Sequence, residues 1–233
     1  MFSVLDEAPT NKVISDSSSA LVPLVASDLT VTFDGSSSPA LAKCSFELHT
    51  SDQLVVTGPS GSGKSTLLNV VAGFVEPTSG SLVFDGVPGT SLPTRSVEMS
   101  FVPQRPHVFS ATVRDNITLG LAGSDAEVTD ALERVGLGEW TRTRGGLGAL
   151  LAERGRTISG GERQRIGIAR ALFQNRSVVL FDEPTAHLDA FSIAELRSSL
   201  APWLAQRTVI EVVHHEGLLT GNVRRLALSR SEQ

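Results

Sequence analysis

The chain has 233 residues, 40% of them hydrophobic, enough for one domain with a full core, or a domain with a subdomain. Its formal net charge is −5, from 20 basic and 25 acidic side chains, and no dense Lys/Arg block occurs, which argues against a large nucleic-acid-binding face. One cysteine, Cys44, excludes an intrachain disulfide and a cysteine zinc site, and no apolar run reaches the roughly 18 residues that a bilayer span needs.

Residues 1–8 suit one or two helical turns, and residues 9–26, rich in Ser, Pro, Thr and Asp, read as a linker. Residues 29–33 alternate as a strand, 34–39 form a turn, and 44–48 are the hairpin partner. The run Gln-Leu-Val-Val-Thr at 53–57 is a buried strand, and residues 65–72 open a helix. Residues 76–80 break the chain, short strands follow at 81–85 and 97–102, and the second ends at Pro103-Gln104. From about 111 to 158 short amphipathic stretches are broken by Gly120, Gly123, Gly136, Gly138, Gly145, Gly146 and Gly148, which predicts a separate helical subdomain over about 106–160. Ser159, Gly160 and Gly161 then stand where a helix cap belongs, ahead of Ile166, Ala169 and Phe173 at helical spacing. A buried strand at 177–181 runs into Asp182-Glu183, and a helix at 190–204 with strands at 208–213 and 223–228 completes an α/β core.

Residues 58–66, Gly-Pro-Ser-Gly-Ser-Gly-Lys-Ser-Thr, fit G-x-x-x-x-G-K-[ST] with Gly58, Gly63, Lys64 and Ser65 at the fixed positions. Strand, glycine loop and helix in that order make a phosphate cradle, because backbone N–H groups and a helix dipole converge on one point. Gly61 and Gly63 let the backbone approach an anion, Lys64 supplies a point charge, and Ser65 can ligate Mg²⁺. Asp182 and Glu183 form an acidic pair at a strand end, where successive side chains point opposite ways and so need different tasks. Residues 158–162, Ile-Ser-Gly-Gly-Glu, place small residues at a second helix start that can meet a second phosphate. One chain cannot easily bring two such helix ends to one nucleotide, which suggests a dimer with the nucleotide between protomers.

These motifs, in this order, resemble the nucleotide-binding domain of an ABC transporter over nearly the whole chain. The resemblance assigns Walker A to 58–65, the Q-loop to Gln104, the signature to 158–162, Walker B to 178–182, the catalytic carboxylate to Glu183, the D-loop to 186–189 and the switch histidine to His214. It implies a RecA-like P-loop NTPase core with an antiparallel β subdomain and an inserted α-helical subdomain. ATP is then expected to touch Phe33, Gly58, Pro59, Ser60, Gly61, Ser62, Gly63, Lys64, Ser65, Thr66 and Gln104. Ser159, Gly160, Gly161, Glu162 and Asp189 belong to the same nucleotide-contacting set, and Mg²⁺ falls to Ser65, Gln104 and Asp182. Glu183, His214 and Lys64 carry the catalysis. Phe33 stands where the family usually has Tyr, which this chain lacks, and it still offers a π face to adenine. Glu162 stands for the common Gln and brings a carboxylate near a phosphate-binding helix end; it weakens nucleotide affinity there unless it faces solvent. Ile158 replaces the common Leu as a packing residue. His215 competes with His214 for the switch position, and His214 is the choice; His49, His107 and His187 read as surface or packing residues.

Residues 101–109 and 112–119, with Ala-Glu-Arg-Gly at 152–155 as an X-loop, are similar to exporter-type domains. The start at residues 2–9 looks like the tail of a last transmembrane helix, so residues 1–26 are expected to be a stub after a fused transmembrane domain and 27–233 the ATP-binding domain. Residues 146–165 and 183–189 are most similar to the bacterial heterodimeric thiol exporters linked to cytochrome bd assembly, the CydDC type. The implied partners are a second ABC ATPase domain, in a homo- or heterodimer, and a transmembrane domain, with no nucleic acid. The implied location is the cytoplasmic face of the inner membrane. The competing readings are a soluble ABC ATPase, an importer ATPase on its own chain, and a nucleotide-binding regulatory module without turnover.

Overall fold

The computed structural model describes residues 24–84, 87–88, 99–151, 158–214, 217–221 and 223–229. The helical turns expected at 1–8, most of the linker at 9–26 and so nearly all of the 1–26 stub, the X-loop at 152–155 and His215 lie outside them.

Two sheets carry the fold. The first is antiparallel, ordered β2-β1-β4-β5, with β1 Leu24–Val31, β2 Leu41–Leu48, β4 Ser79–Phe84 and β5 Val87–Pro88. Strand β1 opens three residues inside the stretch read as linker, because Leu24 and Ala26 are buried and alternate with half-buried Val25. The second sheet is parallel, ordered β6-β7-β8-β3-β9. Its strands are β3 Gln53–Thr57, β6 Met99–Val102, β7 Val178–Asp182, β8 Thr208–Val212 and β9 Arg224–Ala227.

The inner parallel strands β3, β7 and β8 are largely apolar on both faces, as a sheet covered on both sides requires, while the edge strand β9 is mostly exposed. Alternate residues enter different cores. Leu54, Val56, Val178, Leu180, Ile210 and Val212 pack against the antiparallel sheet and helix α1, Lys64–Ala72. Val55, Val179, Phe181 and Val209 face the other core, built with α5 Gly160–Gln174 and α6 Ala190–Leu204. The three short helices α2 Val113–Thr118, α3 Asp125–Arg134 and α4 Gly138–Arg144 join that second core through Ile117, Val128, Leu132 and Leu137. Each is started or stopped locally. Thr112 caps α2, a reciprocal Ser124–Glu127 box caps α3, and Gly145 at φ 108° ends α4.

One acid breaks the apolar rule. Glu211 sits fully buried on β8, on the face shared with Val209, and accepts backbone N–H bonds from Leu218 (2.6 Å) and Leu219 (2.9 Å). Burial pushes its carboxyl up to about 7, against the lowering pull of those two N–H bonds and of Arg197. A folded pKa above the unfolded one means that this group's stabilisation is complete below about pH 4.5 and is lost as pH rises through about 7. Wild type is therefore expected to lose stability relative to Glu211→Gln as pH rises from about 4.5 to about 7, by up to about 1.4 kcal/mol per pH unit, and to level off above that. Urea midpoints at several pH values check this; parallel profiles for the two proteins would remove Glu211 as the source.

Candidate nucleotide site

The loop at 58–63 joins β3 to α1 at the C-terminal end of the parallel sheet. Gly63, at φ 91°, is pressed so closely to Ala40 that a Cβ would lie 2.4 Å from its carbonyl oxygen, so no other residue fits. Gly61, at φ 79°, faces open space instead. Helix α1 starts without a side-chain cap and without an acid in its first turn, so its leading N–H groups remain for an anion. Lys64 is buried, and its Nζ donates to the carbonyls of Gly58 (2.8 Å) and Pro59 (2.9 Å). The ammonium is thus held under the loop. Pro59, Ser60, Gly61 and Ser65 are exposed along it, Thr66 is half-buried, and Ser62 is buried with an Oγ that has no hydrogen-bond partner.

Asp182 is the last residue of β7 and is buried. Burial raises its pKa, a hydrogen bond with Ser65 opposes the rise, and the neighbouring Glu183 charge adds to it. Its Oδ1 has no hydrogen-bond partner. A buried, unpaired carboxylate oxygen beside a serine hydroxyl is a donor set that suits a hard divalent cation.

Glu183 leaves the ladder at φ 51°, in the left-handed region, just past the strand end. That turn brings its carboxyl between two partners from other elements. Gln104, after β6, donates from Nε2 to Oε2 at 2.7 Å, and His214, after β8, places Nε2 2.9 Å from Oε1. Three residues separated by up to 110 positions thus meet at the ends of three neighbouring strands, order β6-β7-β8. A cavity of about 430 Å³ opens beside Glu183, His187, Leu188 and His214. Phe33 lies two residues beyond β1 and is 50% exposed.

Ser159 caps α5, accepting from the Glu162 N–H at 3.1 Å, and its own hydroxyl proton stays free to donate. Gly160 and Gly161 pack on His187 and Leu188, where an added Cβ would come within 3.1 Å of each side chain. The signature and the 186–189 loop are therefore neighbours. Asp189 uses its carboxylate to cap α6, accepting from the Ser192 N–H (2.9 Å) and hydroxyl (3.1 Å). Those bonds pull its pKa down. Ile158 packs against the second core, and His107 stacks edge-on with Phe109 at 4.6 Å. No motif pointed to Glu211, Trp140 or Arg144. The signal for Glu211 was present, as one acid in the apolar run 208–213.

A loop for phosphates, a buried acid beside its serine and a carboxylate held by glutamine and histidine define a P-loop nucleotide site. The profile of the ABC transporter family matches residues 41–186. The Escherichia coli K12 protein "Glutathione/L-cysteine transport system ATP-binding/permease protein CydC" is 38% identical over 83% of this chain and 34% of its own length. "Mycobactin import ATP-binding/permease protein IrtB" of Mycolicibacterium smegmatis is 40% identical over 79% of this chain and 33% of its own. The solved "Structure of a bacterial Atm1-family ABC exporter with ATP bound" superposes with a TM-score of 0.77 at 30% identity, over 84% of this chain and 35% of that one. The chain belongs to the ABC transporter family and is an ATP-binding domain of it. It spans about a third of the length of the curated relatives it matches.

Proposed function

We propose that this chain is the engine of a membrane transporter, binding MgATP at the 58–66 loop and hydrolysing it through Glu183. The observation that carries the reading is the Gln104–Glu183–His214 cluster, which holds a carboxylate ready at the strand ends beside Lys64 and Asp182. Phe33 stacks on adenine, the loop N–H groups and Lys64 hold the phosphates, Glu183 orients the attacking water and His214 stabilises the transferring phosphoryl group. Among the described residues no three His, Cys, Asp or Glu side chains converge as a metal site, so a cation here also needs nucleotide oxygens. Ser65, Asp182 and Gln104 are the protein groups that hold Mg²⁺. The ion, when bound, neutralises charge on the phosphates.

Ser159, Gly160 and Gly161 of this chain close over the nucleotide of a second ABC ATPase domain, either a copy or a related chain. Gln104 is on the route to a transmembrane domain fused ahead of residue 27, at the cytoplasmic face of the membrane. Among the described residues no helix is long and apolar enough to cross a membrane. Relatives that are ATP-binding/permease proteins support the fusion.

Sedimentation of the Glu183→Gln protein with and without MgATP tests the shared site. A shift from monomer to dimer supports two copies closing on ATP, and a monomer that holds MgATP counts for a related second chain. The cargo we favour is cysteine or glutathione, exported for cytochrome bd assembly, because relatives named for CydC and CydD are 38% and 35% identical. ATP-dependent accumulation of these thiols in inside-out vesicles of the full-length protein checks it. The 40% identity to a mycobactin import protein favours one second reading, uptake of a siderophore, which the same vesicles would reveal by failing to accumulate thiols.

A further inference from the structure

The helix end that is to meet an anion also carries an acid of its own. The N-terminal field of α5 attracts any negative charge, and Glu162 is its third residue. Left free, this carboxylate would compete with a phosphate for the same N–H groups and repel it.

The structure turns the carboxylate back on the protein. Oε2 accepts from the Ser159 N–H at 2.8 Å, completing a capping box with the bond from the Glu162 N–H to the Ser159 hydroxyl. Oε1 accepts from the Trp140 indole N–H at 2.6 Å. Arg144 Nη2 lies 3.6 Å from the same oxygen, and the two side chains are only 22% and 24% exposed. The guanidinium is itself fixed, with Cζ 4.2 Å from the centre of the Trp140 ring. Trp140 and Arg144 stand one helical turn apart on α4, so one short helix presents both to α5.

We infer that Arg144 and Trp140 are positioning residues that hold and neutralise Glu162, so that the Ser159–Gly161 turn can receive a phosphate without a repelling charge beside it. The inference rests on the proposed role of that turn at a second domain's nucleotide. It assigns a task to α4 and converts the unusual Glu162 from a liability into a clamp: the acid fastens the capping turn and the arginine cancels its charge. A neutral glutamine would need no such arginine. The effect is one of net charge, so removing the positive partner harms the site only while the negative one remains.

The test is turnover of the full-length transporter against MgATP concentration for wild type, Arg144→Gln, Glu162→Gln, the double variant and Ser159→Arg. Arg144→Gln is expected to raise KM for MgATP about tenfold. Adding Glu162→Gln is expected to bring it back within about twofold of wild type. A change below twofold in Arg144→Gln, or an equal loss in both backgrounds, overturns the inference, since damage to α4 packing would not be rescued by neutralising Glu162. Ser159→Arg separates the two levels. If it leaves turnover intact, the turn does not serve a nucleotide and the proposed function itself is wrong there. If it abolishes turnover while Arg144→Gln is silent, only the positioning role fails.

Discussion

Glu183→Gln is expected to lower ATP turnover by about 10²–10⁴-fold, the usual contribution of a positioned general base, while leaving MgATP affinity within a few-fold of wild type. The exchange keeps the shape of the side chain and removes one proton acceptor. It also keeps one oxygen for either Gln104 or His214, which flank the two carboxylate oxygens at 2.7 and 2.9 Å. The loss is thus confined to the step that needs a carboxylate to orient and polarise water. Neither Lys64 nor the α1 N-terminus depends on Glu183 for its position, because Lys64 hangs from the Gly58 and Pro59 carbonyls. Phosphate release and equilibrium nucleotide binding, measured on the same preparation, decide the matter. Unchanged turnover would falsify the assignment of Glu183.

Lys64→Ala is expected to do the opposite and remove binding itself. A buried ammonium donating to a phosphate makes a charge-assisted contact, and its loss costs about 3 kcal/mol, or roughly a hundredfold in Kd. Without nucleotide, the variant leaves the part-buried Gly58 and Pro59 hydrogen bonds without their lysine donor, so the thermal midpoint should fall by only a few degrees. Isothermal titration with MgATP and a melting curve on the nucleotide-free protein separate the two effects. Wild-type affinity in Lys64→Ala would show that the phosphates lie elsewhere.

Periodicity made much of the scaffold legible. The helix predicted over 190–204 is α6, Ala190–Leu204, because Asp189 caps it and its apolar residues recur at helical spacing. The apolar runs at 53–57 and 177–181 became inner parallel strands, since a sheet buried on both faces leaves no polar positions to confuse the reading. Boundaries were poorer where composition misled. The start of β1 at Leu24 was missed because the Ser-rich stretch ahead of it and Pro23 next to it read as linker, although Leu24 and Ala26 lie on its buried face.

The candidate site divides in the same way. A contiguous loop such as 58–66 is visible in sequence because its chemistry is local. The distance between Gln104 and Glu183 is not, since it depends on strand order and on the φ of 51° that swings Glu183 out of the ladder. Alternation along a strand suggested opposite directions for Asp182 and Glu183. The chain reaches separate tasks by ending the strand between them. Glu162 illustrates the limit most clearly. Its identity is plain in the sequence, but whether its charge troubles a phosphate depends on Trp140 and Arg144, 22 and 18 residues earlier and on another helix.

The most direct measurement is the chemical identity of the nucleotide retained after one round of binding. Full-length protein is loaded with MgATP, freed of excess by rapid gel filtration, held, and quenched. Wild type is predicted to yield ADP and phosphate, and Glu183→Gln to yield intact ATP from the same occupancy. Intact ATP from both proteins, or ADP at equal rates from both, would contradict a site in which Glu183 performs the hydrolysis.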